Sequence, residues 1–236
     1  MKFIMKAKLF LGCSGLIFSS VAFAQSQFVG AYVQISTGYE NNKVSSAQLI
    51  GTNYGGSPNT SNSVSTTSSS APVVLGLGYL FPVQNNLTLG VGVDYSTLTQ
   101  ETSPAAFYYP AINNSPNFNY KFTISNRFSI FASPGYAIDR DKLAYAKLGY
   151  SSQSVQYSQT NCCSSPSNKA QVGGYVLGLG YKQLITSGLY GFVEANYYAY
   201  TKPSLSSTYT DQGGGTVSSN PNVSAYNLLL GLGYRF

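Results

Sequence analysis

The chain has 236 residues, a formal net charge of +6 and only 8% charged residues, against roughly 25% in ordinary soluble domains. A surface solvated by ionised groups is excluded, and the charge falls to +3 once Lys2, Lys6 and Lys8 are set aside, too little to argue for nucleic acid. No run of about 20 apolar residues follows residue 24, which excludes a transmembrane helix.

Residues 1–24 read as a cleaved secretory signal peptide. Three lysines precede an uncharged, mostly apolar stretch from Leu9 to Phe23, and Ala22-Phe23-Ala24 is a small-x-small cleavage site before Gln25. A lipoprotein signal at Cys13 is the alternative, but the four residues after Lys8 leave no room for its apolar core. Residues 25–236 suit one domain.

The first strand is expected over Gln27–Glu40, with Val29, Ala31, Val33 and Ile35 on one face and Gln34, Ser36 and Glu40 on the other beside Phe28 and Tyr32. Residues 41–70, rich in Ser, Thr, Asn and Gly and without periodicity, read as a long loop. The second strand, Ala71–Phe81, alternates Val73, Leu75, Leu77, Tyr79 and Phe81 with Gly76 and Gly78. A short turn leads to the third, Leu87–Thr97, which sets five apolar residues opposite Thr88, Gly90, Gly92, Asp94 and Ser96.

Residues 98–117 read as a second loop. The fourth strand, Phe118–Ile138, has Tyr120, Phe122, Ile124, Phe128, Ile130 and Tyr136 at even positions and Lys121, Thr123, Ser125, Arg127 and Ser129 at odd ones. It exceeds the roughly 9–11 residues of a span, and Pro134 weakens it, so a hairpin at Ser125-Asn126-Arg127 is the rival reading. After a polar turn at Asp139–Lys142 come the fifth strand, Leu143–Tyr157, a third loop, 158–171, and the sixth strand, Val172–Leu184. Ile185–Gly188 turns into the seventh strand, Leu189–Thr201, followed by a fourth loop, 202–223. The last strand, Ser224–Phe236, places Tyr226, Leu228, Leu230, Leu232, Tyr234 and Phe236 on one face: rings at both ends, aliphatics between. Rings at both interfaces mark a strand whose outer side meets lipid.

Eight strands with alternating long and short connections predict an all-β fold, an eight-stranded antiparallel up-and-down transmembrane β-barrel with four long extracellular loops and short periplasmic turns. Val-Leu-Gly-Leu-Gly-Tyr at 74–79 and 176–181 and Leu-Leu-Gly-Leu-Gly-Tyr at 229–234 read as one demand met three times: leucine to acyl chains, glycine to a narrow lumen, tyrosine to headgroups. Charge decides which face is inside. Where apolar residues alone set the parity, Asp94, Lys121, Arg127, Lys182 and Arg235 fall on the Gly/Ser face. A cation facing lipid at mid-depth costs about 2–4 kcal/mol; a soluble, inverted barrel would leave an uncharged glycine-rich exterior. In the ambiguous fifth and seventh strands, Lys147 and Glu194 themselves set the parity. The lumen candidates are thus Asp94, Lys121, Arg127, Lys147, Lys182 and Glu194. Side chains just fill a barrel of this size, so these charges are expected to pair, as a plug or as the wall of a narrow pore.

With its signal peptide, LGLGY strands and terminal Tyr234-Arg235-Phe236, the mature chain resembles the eight-stranded outer-membrane barrels of the outer membrane protein A transmembrane-domain and opacity-type porin families. That resemblance implies a Gram-negative outer membrane, outer-membrane lipid as surroundings, and Tyr234 and Phe236 as a signal to the barrel-assembly machinery during insertion. It does not imply one activity; such barrels serve as surface antigens, adhesins, anchors and small pores. No peptidoglycan-binding domain follows Phe236, so that anchor role is not expected. Enzymes among small outer-membrane barrels rely on histidine, and this chain has none, closing the Ser-His-acid route. Cys162 and Cys163 read as loop thiols or a strained vicinal disulfide without function, with an intermolecular bridge or a labile redox pair as the alternative, and two sulfurs without histidine make a poor zinc site. No catalytic residue, metal or cofactor is expected. Two functions remain: a monomeric structural or surface-interaction barrel binding a host or surface ligand at loops 41–70, 98–117, 158–171 and 202–223, with Tyr54, Phe107, Tyr108, Tyr109 and Tyr209 as contact residues, or a narrow, weakly selective diffusion pore.

Overall fold

The computed structural model describes residues 27–45, 48–53, 59–62, 65–107, 118–160, 168–209 and 215–236. Their strands, in chain order, are β1 (Gly30–Val44), β2 (Gln48–Asn53), β3 (Asn59–Asn62), β4 (Thr66–Ser70), β5 (Val73–Gln84), β6 (Leu87–Ser96), β7 (Gln100–Glu101), β8 (Ala105–Phe107), β9 (Phe118–Ala137), β10 (Lys142–Thr160), β11 (Asn168–Leu184), β12 (Leu189–Tyr200), β13 (Leu205–Tyr209), β14 (Gly215–Ser219) and β15 (Val223–Arg235). Eight of them close a ring. β1, β5, β6, β9, β10, β11, β12 and β15 each pair antiparallel with the next, and β15 returns to β1 with Tyr32 opposite Arg235. Closure leaves the ring no unpaired edge, which is what a sheet needs in hydrocarbon.

The short connections all lie at the end holding both termini of the ring. Asn85, at φ 48°, turns β5 into β6 in the left-handed region that asparagine tolerates. Between β9 and β10, Asp139 accepts a bond from the Asp141 amide at 3.1 Å and one from the Lys142 ammonium at 2.7 Å. The lysine bond holds the Asp139 carboxyl below its usual range.

The outer wall of the ring is oily. Val33, Ile35, Leu75, Leu77, Leu89, Val91, Ile130, Leu148, Leu177, Leu179, Leu228, Leu230 and Leu232 are all exposed. Tyr79, Phe81, Tyr136, Tyr234 and Phe236 band the short-turn end, and Tyr39, Tyr95, Phe128, Tyr150, Tyr175, Tyr197 and Tyr226 band the other. Two aromatic girdles around an aliphatic belt are the mark of a lipid-solvated barrel. Leu230, midway between Tyr226 and Tyr234, is 65% exposed. Leu230→Arg is expected to destabilise the folded barrel by about 2–4 kcal/mol in bilayers, read as a lower urea midpoint; an unchanged midpoint would show that this wall does not meet acyl chains.

Several expectations need correction at the long-loop end. β1 continues past Glu40 because its pairing with β15 runs on to Val44 opposite Val223. The segment 41–70, read as loop, also carries β2, β3 and β4, and β4 extends the wall by pairing with β1 from Glu40–Ser70 to Val44–Thr66. The 98–117 segment adds β7 and β8, both paired with β9. The 158–171 segment is narrowed by β10 running to Thr160 and β11 starting at Asn168. Within 202–223, β13 and β14 join β2 and β3 in a separate sheet of order β13-β14-β2-β3. Two loops from neighbouring ring strands thus build one extracellular sheet.

β9 is a single strand, not a hairpin. Asn126, at φ 53°, enters as an extra residue where the register with β10 slips between Ser152 and Ser154. Such a bulge reverses which side chains face inward beyond it. Below it Arg127, Ser129 and Phe131 point in; above it Tyr120, Phe122 and Ile124 do. Lys121 is therefore outside the lumen: it pairs with Glu101 of β7 at 2.8 Å, both side chains partly or well exposed.

Candidate functional site: the lumen and the extracellular end

Three layers fill the interior. At the short-turn end Phe28, Tyr32, Leu80, Ala137, Leu143, Tyr190 and Phe192 form a buried apolar cluster. At the long-loop end a second cluster joins Val44, Tyr120, Phe122, Ile124, Val155, Val172, Val176, Tyr198, Tyr200, Leu205, Val223 and Ala225. A charged layer lies between them.

The glycines of the repeated LGLGY stretches make room for that layer. Gly76 lies opposite Asp94 and Gln34, and a Cβ there would come 2.5 Å from Asp94 Oδ1 and 2.8 Å from Gln34 Cγ. Gly180 lies opposite Tyr145 and Glu194, and a Cβ there would sit 2.6 Å from Tyr145 Cε1. The leucines between them face outward. One strand of alternating Leu and Gly thereby serves hydrocarbon on one side and bulky lumen groups on the other.

Lys147 of β10 is the hub. Its ammonium donates to Asp94 Oδ2 of β6 and, at 2.9 Å, to Glu194 Oε1 of β12, and lies 4.3 Å from the centre of the Phe131 ring. Glu194 also accepts from the Tyr145 hydroxyl at 2.7 Å and from Asn196 at 2.8 Å. Nearer the long-loop end, Arg127 of β9 grips Glu40 of β1 with both guanidinium arms, Nη1 to Oε1 at 2.9 Å and Nη2 to Oε2. Glu40 also accepts from Asn42 at 2.9 Å, Gln100 at 2.7 Å and Asn227 at 3.1 Å. Asn196 donates to Asn227 at 2.9 Å, so one chain of hydrogen bonds links Glu40 to Glu194. Lys182 lies nearer the short-turn end, its ammonium 4.2, 4.8 and 5.2 Å from the ring centres of Tyr32, Tyr190 and Tyr145, within cation–π range.

Of the residues singled out from the sequence, Asp94, Arg127, Lys147, Lys182 and Glu194 are buried together in this layer and Lys121 is not. Glu40 was missed as a lumen residue, although its parity places it on the inward face; Phe28 and Tyr32 on that face blurred the signal. With Glu40 included, three acids and three bases share the lumen, a formal charge of zero. The uncharged partners Asn42, Gln100, Asn196 and Asn227 had no sequence signal beyond their parity. Cys162, Cys163, Tyr54, Tyr108 and Tyr109 lie outside the described residues, as do residues 1–24; Phe107 and Tyr209 lie on β8 and β13. Tyr234 and Phe236 stand on the outer wall in edge-to-face contact at 5.2 Å. Among the described residues no group of three His, Cys, Asp or Glu is placed to hold a metal ion.

The closed ring, twin girdles and charged interior define an integral outer-membrane barrel. The family described as outer membrane protein beta-barrel domain matches residues 10–236, and the chain belongs to it. No curated protein sequence matches the chain. Among solved structures it is similar to the outer membrane protein OprG from Pseudomonas aeruginosa, at 11% identity and a TM-score of 0.56, covering 90% of this chain and 100% of that one. It is also similar to the outer membrane protease OmpT from Escherichia coli, at 11% identity and a TM-score of 0.55, covering 88% of this chain and 97% of that one. These likenesses show the fold. The protein sits in the lipid of a Gram-negative outer membrane.

Proposed function

We propose that this protein is a non-enzymatic, monomeric surface barrel whose extracellular end binds a host or surface ligand, and whose lumen is a plug rather than a channel. The observation that carries this reading is the layered interior: apolar clusters above and below a neutral ion-pair network. A conducting path needs polar walls from end to end, and both ends are packed with rings and aliphatic side chains. The three lumen carboxylates are each bound by a cation, so none is left as a general base. Ring closure supports the monomer. Residues 1–24 supply export, and Tyr234 and Phe236 the contact with the assembly machinery.

Planar-bilayer recording tests the plug. The wild-type barrel is expected to give no sustained single-channel steps, whereas reproducible steps, altered by Glu194→Ala, would establish the small-pore reading instead. The ligand reading has a separate test. Val44 faces Thr66, so residues 46–64 can be replaced by a two-residue turn without disturbing the ring. Bacteria displaying that variant are expected to lose adhesion to an epithelial cell layer while keeping the heat-dependent gel shift of a closed barrel. Undiminished adhesion would remove the extracellular sheet from the binding role.

A further inference from the structure

The positive charge of the mature chain is unevenly placed. The lumen is neutral; Asp139, Arg140, Asp141 and Lys142 cancel at the short-turn end; Lys121 is matched by Glu101. Arg235 stays at the short-turn end, donating to the Val29 carbonyl at 3.1 Å. At the long-loop end Lys43, Lys169 and Lys202 remain against one acid, Asp211, which lies outside the described residues, and all three lysines are exposed and without an ion pair among the described residues. They sit on or just beyond β1, β11 and β12, which with β15 form four consecutive ring strands. Among the described residues no carboxylate is exposed on these four strands, since Glu40 and Glu194 are buried in the lumen.

Their height is set by the girdle. Lys43 follows Tyr39 by four residues, Lys202 follows Tyr197 by five, and Lys169 precedes Tyr175 by six. A strand rising about 3.3 Å per residue and tilted about 40° gains roughly 2.5 Å of height per residue. The three ammonium groups therefore lie on the order of 10–15 Å above tyrosines that mark the headgroup level. In an outer membrane that height, on the outside of the wall, is occupied by the phosphorylated sugars of the outer-leaflet glycolipid. We propose that Lys43, Lys169 and Lys202 form a basic arc that docks the barrel, by one side, onto the phosphates of this glycolipid. The opposite wall, where Glu101 neutralises Lys121, carries no such surplus.

Titration of the full barrel, folded in neutral detergent micelles, with fluorescently labelled lipopolysaccharide tests this. Each lysine near an anionic surface contributes a factor of roughly five, so Lys43→Gln/Lys169→Gln/Lys202→Gln is expected to bind on the order of 100-fold more weakly. Enzymatically dephosphorylated lipopolysaccharide should bind the wild type as weakly, and Lys121→Gln should bind like the wild type. The heat-dependent gel shift checks that each variant is folded, and the three single variants, each weaker by roughly fivefold, carry the test should the triple variant not fold. Equal binding of wild type and triple variant, undiminished binding of the dephosphorylated lipid, or equally tight binding of a soluble sulfated polysaccharide would overturn the proposal.

Discussion

Replacing Lys147 with alanine is expected to destabilise the barrel by about 3–5 kcal/mol, the range for a buried ion pair that loses one member. Asp94 and Glu194 share its ammonium, and without it two buried carboxylates face each other in a medium that solvates neither. Glu194 keeps Tyr145 and Asn196, whereas Asp94 has no other hydrogen-bond donor among the described side chains. The charge imbalance, rather than the lost volume, should dominate. Lys147→Met combined with Asp94→Asn and Glu194→Gln is therefore expected to recover most of the loss. Urea unfolding in micelles, followed by tyrosine fluorescence because the chain has no tryptophan, measures both variants. If Lys147→Ala unfolds at the wild-type midpoint, the charged layer does not support the fold.

Glu40→Ala is expected to cost a similar amount, about 3–5 kcal/mol, by a different route. The loss strands the Arg127 guanidinium and removes the shared acceptor of Asn42, Gln100 and Asn227 at once. Tyr198, 4.5 Å from the guanidinium carbon, offers the cation a ring face but no counter-charge. Because Asn227 and Asn196 connect this cluster to the one around Lys147, combining Glu40→Ala with Lys147→Ala should depart from additivity by at least 0.5 kcal/mol, as within one bonded network. Strict additivity would mean that the two clusters are independent. Neither variant is expected to conduct, since the apolar layers at both ends remain.

The sequence made the membrane-spanning part legible because lipid imposes a strict period of two. Leu228, Leu230 and Leu232 could have only one partner medium, and their parity fixed that of Asn227, Gly231 and Gly233. Two things broke the reading. Asn126 shifts the phase of β9 by one residue, and a lone asparagine between Ser125 and Arg127 looks the same in a bulge, a turn or a strand. Above the girdle both faces of β2, β3, β4 and β14 draw largely on Ser, Thr, Asn and Gly, so no alternation shows where the backbone pairs. Glu40 was hidden differently, by aromatic neighbours on its own inward face that mimic a lipid-facing stripe.

The reversal of side-chain direction at Asn126 has a wider consequence. Below it the wall is oil outside and ions inside; above it Lys121 and Thr123 of β9 face outward, level with the polar outer faces of β1 and β11 at Lys43 and Gln171, while Tyr120, Phe122, Val155 and Val223 gather on the axis. The molecule is two solvation regimes stacked on one continuous set of strands, a membrane cylinder surmounted by a turret built on the plan of a water-soluble β protein. Sequence drift in the turret is therefore answerable to its own greasy centre and, at its outward lysines, to the glycolipid headgroups, but not to the hydrocarbon, so this part can be rebuilt, or grafted onto another cylinder of eight strands, while insertion proceeds as before.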